Sequence, residues 1–146
     1  MIETIQLGVP VARVELLDAV TMGAINRFSK TDYPESPTLF FEFHGSEAGV
    51  AEQAETVQAL AAEHGGQNFQ WAARPEDRTR LWQARHDVLF ACLNLQPGSR
   101  GISTDVCVPI SRLAEAIAGT QEEIAATGLI APIVGHVGDG NFHVVI

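Results

Sequence analysis

Two periods alternate in the placement of apolar residues along the chain. Val11–Leu17 repeats every second residue, with Val11, Arg13 and Glu15 against Ala12, Val14 and Leu16, which predicts a strand. Asp18–Phe28 predicts a short helix, and Ser29–Pro37, rich in Ser, Thr, Asp and Pro, a loop. Thr38–His44 is the clearest strand: Leu39, Phe41 and Phe43 point one way, Phe40, Glu42 and His44 the other. Ser46 then caps a helix with the stripe Val50, Ala54, Val57, Leu60 and Ala61, closed by Gly65-Gly66. Asn68–Ala73 reads as another strand. Pro75 opens a helix that runs to Leu95 and stops at Gln96-Pro97-Gly98-Ser99. Ile102–Val108 alternates cleanly. Ser111 caps a helix carrying Leu113, Ile117 and Ile124, which Gly128 ends. Leu129–Gly135 and Phe142–Ile146 form the arms of a hairpin, and Pro132 puts the start of the first arm at a sheet edge.

Strands and helices thus alternate with short connections, and half-polar strands favour a sheet with one covered face. The predicted class is α+β: a mostly antiparallel sheet with helices packed on one face, built of ferredoxin-like units. The 146 residues suffice for one domain with a real core. Acidic residues outnumber basic ones, for a net charge of −9, and no basic cluster occurs, so a nucleic-acid surface is excluded. No apolar run reaches the roughly 18 residues of a membrane span. Cys92 and Cys107 lack metal-type spacing and read as reduced, buried thiols of a cytoplasmic-type protein. Met1–Pro10 shows no leader pattern.

The densest chemistry lies near the end, in Gly135-His136-Val137-Gly138-Asp139-Gly140-Asn141-Phe142-His143. Asp-Gly between extended apolar segments is a strong hairpin signal. With Asp139 and Gly140 as the central turn residues, Val137 faces Phe142 and His136 faces His143. Residues opposed in this way have Cβ atoms roughly 4.5–5.5 Å apart. Two such imidazoles can share a metal ion or a substrate, or simply stack. A catalytic zinc site takes three protein ligands, and Glu42, His44 and Asp139 are the in-chain candidates for the third.

Arg85 falls inside the apolar stripe Leu81, Val88, Cys92 and Leu95. A guanidinium on such a face needs an anion, either an internal carboxylate or a ligand. Its planar fork suits a carboxylate. Asp105, in mid-strand beside Ser103 and Cys107, is expected to pair with Arg85 or Arg112.

The nine residues 135–143 resemble the signature of the C-terminal cap domain of FAD-linked 2-hydroxy acid oxidases and dehydrogenases. Leu81-Trp82-Gln83-Ala84-Arg85-His86 and Ser103–Leu113 agree with that family in order and spacing, and the second stretch is closest to the D-lactate dehydrogenase (cytochrome) branch. The resemblance covers nearly the whole chain, from about Val11 to Ile146. It implies a separate N-terminal domain that holds FAD, and a cap that supplies the substrate site. It further implies that His136 and His143 bind a divalent metal, Zn or Mn, with a glutamate further along the chain. Arg85 would pair with the carboxylate of a small 2-hydroxy acid, and Asn141 would face the cofactor. The catalytic base, a histidine beside that glutamate, is expected beyond Ile146.

On this reading residues 1–146 are one truncated cap domain, inactive alone. The intact enzyme would pass electrons to a cytochrome or other acceptor, could associate with a membrane, and could be a homodimer. Two alternatives stand beside it. One keeps the family and changes the acid to D-2-hydroxyglutarate or glycolate. The hydroxyglutarate branch is expected to carry a lysine about where Ser103 stands, and a diacid calls for a second cation near Arg85. The other is a non-catalytic ferredoxin-like module that binds a ligand or partner. Convergence of His136, His143 and Arg85 on one place separates the two classes.

Overall fold

A computed structural model describes residues 1–146. The strands are β1 (Val11–Leu17), β2 (Thr38–Phe43), β3 (Val106–Cys107), β4 (Ile133–Gly135) and β5 (Asn141–Val144). The helices are α1 (Ile2–Gln6), α2 (Ala19–Ser29), α3 (Glu47–Glu63), α4 (Pro75–His86), α5 (Val88–Leu93) and α6 (Leu113–Thr127). One five-stranded sheet has the order β2-β1-β4-β5-β3, and every neighbouring pair is antiparallel. The α+β class with an antiparallel sheet is what the strand pattern predicts.

Local signals explain where several elements begin. The Asp18 carboxylate accepts the Thr21 amide at 2.8 Å and caps α2. Asp18 N and the Thr21 hydroxyl both donate to the Ile133 carbonyl, each at 3.0 Å, which ties the start of α2 to β4. Ser46 caps α3 by accepting from Gly49 N.

Alternation along the strands divides the core in two. Leu17, Phe40, Val134 and Val145 pack with Met22 and Ile25 of α2 and with Ala84, Val88 and Ala91 of α4 and α5. Val14, Ile133, Phe142 and Val144 pack with Leu113, Ile117 and Ile124 of α6. Helical cover is therefore wider than the one-sided arrangement expected: α6 lies on the second face. A register shift between Val11 and Arg13 turns Val11 onto that α6 face, away from Arg13 and Glu15.

Four details depart from the sequence pattern. Asn68–Ala73 forms no strand; Asn68 adopts a left-handed φ of 57°, and Phe69 and Trp71 pack edge to face instead. A β-prone segment without a sheet edge has no partner for its backbone. The Pro75–Leu95 helix is interrupted at Asp87, whose carboxylate accepts from Gln83 Nε2 at 2.9 Å. Arg112, not Ser111, precedes the first residue of α6.

The fourth concerns the last hairpin and its neighbour. Val134 pairs with His143, and Ile133 with Val144, so His136 does not lie opposite His143 in the ladder. Val137–Asp139 makes a helical turn, Gly140 follows at φ +76°, and His136 O closes the loop by accepting from Asn141 N at 3.3 Å. The looser turn is set from outside. Gly140 O accepts from Val108 N at 2.9 Å, and a Cβ on Gly140 would collide with the Val108 carbonyl oxygen. The Ile102–Val108 strand shrinks to Val106–Cys107 with a bridge at Ser103. At Thr104 the hydroxyl, rather than the carbonyl, accepts the Val144 amide, at 2.9 Å. A side chain that takes a ladder partner interrupts the strand locally.

Candidate functional site

Strand direction gathers the site. Leu17 pairs with Val134 and Leu16 with Gly135, so the β1–β4 register carries on to Glu15 beside His136. Val134 pairs with His143. Glu15, His136 and His143 therefore share the face covered by α4, which brings Arg85.

Glu15 is the centre of the arrangement and is only 2% exposed. Arg85 donates to its Oε2 from Nε at 3.1 Å and from Nη2 at 3.0 Å. His136 Nδ1 lies 2.8 Å from Oε1. The His136 and His143 rings are 5.7 Å apart between centroids, at 85° to each other. His143 Nδ1 in turn lies 2.8 Å from the Thr104 carbonyl oxygen, the oxygen that the strand ladder released.

These partners decide where the ring protons sit. A carboxylate and a carbonyl only accept, so a neutral imidazole facing either one carries its proton on Nδ1. Both rings then keep an Nε2 lone pair for something else. Two imidazoles bound to one tetrahedral zinc at about 2.0–2.1 Å would have ring centroids roughly 5 Å apart, close to the spacing here. An oriented partner stands behind each ring, and the pair supplies two nitrogen donors of a candidate metal site. It is incomplete: no group of three or more His, Cys, Asp or Glu side chains gathers to hold a metal. Of the expected third ligands, Glu42 and His44 bond to each other on the exposed end of β2. Asp139 lines a cavity of about 130 Å³ with Arg13, Glu15 and His136.

His136 and Arg85 converge on one carboxylate, and the His143 ring lies beside that of His136. The anion that Arg85 requires is Glu15, within the protein, and Nη1 has no protein partner. Asp105 pairs with neither arginine. It is largely exposed, accepts from Asn141 Nδ2 at 2.7 Å and lies 3.6 Å from His143 Nδ1, while Arg112 pairs with Glu115. Both arginines already have nearer acids. Asn141 also donates to Val106 O at 3.1 Å, which leaves its Oδ1 free. Arg13 stacks 4.2 Å over Trp82 and pairs with Glu42 at 3.2 Å.

Sequence reasoning missed Glu15, counting it on the polar side of an amphipathic strand. The signal was an acid between Val14 and Leu16 in a strand whose other face is apolar. An acid in mid-strand is disfavoured unless it is paired.

Comparison with known proteins adds a separate line of observation. The model of the family described as FAD linked oxidases, C-terminal domain, matches residues 1–146. A probable mitochondrial D-lactate dehydrogenase of Danio rerio is 48% identical over 145 residues, which are 99% of this chain and 29% of that protein. The mitochondrial D-lactate dehydrogenase [cytochrome] of Arabidopsis thaliana is 45% identical over 145 residues, 99% of this chain and 26% of that protein. The protein of the same name from Kluyveromyces lactis is 39% identical over 150 residues, covering 97% of this chain and 26% of that protein. The chain thus spans about a quarter of the length of the curated relatives it matches. No helix is long and apolar enough to cross a membrane.

Proposed function

The chain belongs to the family of FAD-linked oxidase C-terminal domains, and on that premise we propose that it is the substrate- and metal-binding cap domain of an FAD-dependent D-lactate dehydrogenase. The observation that carries the reading is the linked set Arg85–Glu15–His136 with His143 at its end. The names of the relatives support lactate as the substrate.

His136 and His143 would hold Zn²⁺ or Mn²⁺ through their Nε2 atoms. The bound metal supplies Lewis acidity toward the substrate's oxygens, and FAD, held by a separate domain, supplies the acceptor for the hydride as lactate becomes pyruvate. Arg85 presents its free Nη1 to the substrate carboxylate, while Glu15 keeps the guanidinium plane in place. Asn141 offers its free Oδ1 on the cofactor side. Arg13, rather than Arg85, lines the cavity beside His136, and its commitment to Glu42 and Trp82 favours a small monoacid over a diacid. The two free cysteines fit a reducing compartment, and the names of the relatives point to the mitochondrion rather than the cytoplasm expected from the sequence. Two imidazoles alone make a weak metal site, short of the three protein ligands of a catalytic zinc.

The test is made in the flavoenzyme that carries this domain. His136→Ala and His143→Ala each abolish lactate-driven bleaching of the flavin and remove metal, while flavin stays bound. Arg85→Lys, which replaces a fork by one ammonium, raises KM for lactate about tenfold or more, the loss of one charge-assisted hydrogen bond. Bleaching at wild-type rates after both histidines are replaced overturns the proposal.

A further inference from the structure

We propose that Glu15 is the positioning residue of this site, holding His136 in the Nδ1–H tautomer so that Nε2 remains an acceptor, and fixing Arg85 with its other oxygen. The inference rests on the reading of His136 as a metal ligand and adds a residue to it.

The geometry carries the assignment. Glu15 is buried, and its two oxygens serve two different functional side chains: Oε1 takes His136 Nδ1 at 2.8 Å, and Oε2 takes both Arg85 bonds. The His136 ring is half exposed, and this carboxylate is its only side-chain hydrogen-bond partner. Without Glu15 nothing else in the protein selects between the two nitrogens. His143 is fixed independently, by the Thr104 carbonyl, so Glu15 acts on one ring of the pair and leaves the other as an internal reference. Partners behind a metal-ligating histidine set its orientation, and their loss typically weakens metal binding 10- to 100-fold.

The test uses the full 146-residue chain with ¹⁵N-labelled histidine. Metal-free protein is held at pH 8.5, above the ordinary imidazole range. Long-range ¹H–¹⁵N correlation then reports which nitrogen of each ring carries the proton. Glu15→Asp withdraws the acceptor by about one carbon–carbon bond, roughly 1.5 Å. Glu15→Leu combined with Arg85→Met removes the carboxylate without stranding a guanidinium. Both variants are expected to release His136 into a tautomer mixture, to leave His143 as Nδ1–H, and to weaken Zn²⁺ binding 10- to 100-fold in competition with a chelator. Glu15→Gln keeps one acceptor oxygen, which the two Arg85 donors claim, and turns its amide NH2 toward His136; Nδ1 must then accept, so His136 is expected in the Nε2–H form while His143 stays Nδ1–H.

If His136 stays Nδ1–H and Zn²⁺ affinity stays within threefold in whichever of the first two variants folds, Glu15 has no positioning role. Failure of the underlying reading looks different: His136→Ala then binds Zn²⁺ as the wild type does. In that case the tautomer readout alone decides the role of Glu15 toward His136.

Discussion

Replacing Arg85 by Met tests the buried ion pair through stability alone. Methionine keeps most of the length and apolar stem of arginine but removes the cation that faces Glu15. Two charge-assisted hydrogen bonds, at 3.1 and 3.0 Å, disappear from one carboxylate oxygen. Removing one partner of a buried pair costs about 3–5 kcal/mol, because the other charge is left without its counterion. Two features reduce that here: Glu15 keeps its bond to His136 at 2.8 Å, and Arg85 is 15% exposed, so the pair is not fully dry. The expected loss is therefore at the low end, about 3 kcal/mol. For a chain of this size 1 kcal/mol moves Tm by about 4 °C, so Tm should fall by roughly 10 °C. Adding Glu15→Leu removes the stranded charge and should restore stability to within about 1 kcal/mol of wild type. Urea unfolding followed by far-ultraviolet circular dichroism measures all four corners of the cycle. If Arg85→Met lies within about 0.5 kcal/mol of wild type, a typical surface substitution, the pair is not a buried one. If the double variant is as unstable as the sum of the singles, Glu15 and Arg85 are not energetically coupled.

Gly140→Ala places a methyl group against the Val108 carbonyl oxygen and forces alanine to φ +76°; it should cost about 2–4 kcal/mol and broaden the His136 and His143 resonances, and an unperturbed spectrum would refute the turn geometry. Burial pushes the Cys92 thiol up to about 12, with Asp18 adding to the shift. The unfolded thiol ionises near its ordinary value of about 8.5. Stability from the neutral buried thiol is therefore complete below that pH and declines as pH rises toward the folded value. The Tm advantage of wild type over Cys92→Ala should shrink between pH 8 and 10.5, and a constant difference would contradict it. Iodoacetamide at pH 8 should label the native protein once, at exposed Cys107, with Cys92 reacting only after unfolding.

Elements whose signals are local were legible in the sequence. β1, β2, α2 and α3 follow from alternation, from the Asp18 and Ser46 caps, and from stripes such as Ala54 and Val57. What failed needed distant partners. Phe69 and Trp71 have strand propensity but no neighbouring edge. Amphipathicity shows that α6 has an apolar side, not which face of the sheet receives it. The hairpin register depends on Val108 lying against Gly140, a contact across 32 positions that no turn statistic contains. The same limit applied to the site. The 135–143 motif marked both histidines, and the stripe on α4 showed that Arg85 needs an anion. Identifying that anion required knowing that β1 runs beside β4, which brings Glu15 under His136.

The exchange at Thr104 makes His143 part of the seam between β5 and residues 103–107 as well as of the candidate site. Its ring N–H occupies the carbonyl that a neighbouring strand would otherwise use, while the Thr104 hydroxyl holds Val144. A replacement at 143 without a side-chain N–H leaves that carbonyl to water and loosens the seam between residues 103–107 and β5. With the proposed metal role this position answers to two demands, and a relative without that role would still be expected to keep a donor here. In such a relative, asparagine or glutamine at 143 would mark a silent site on an intact fold.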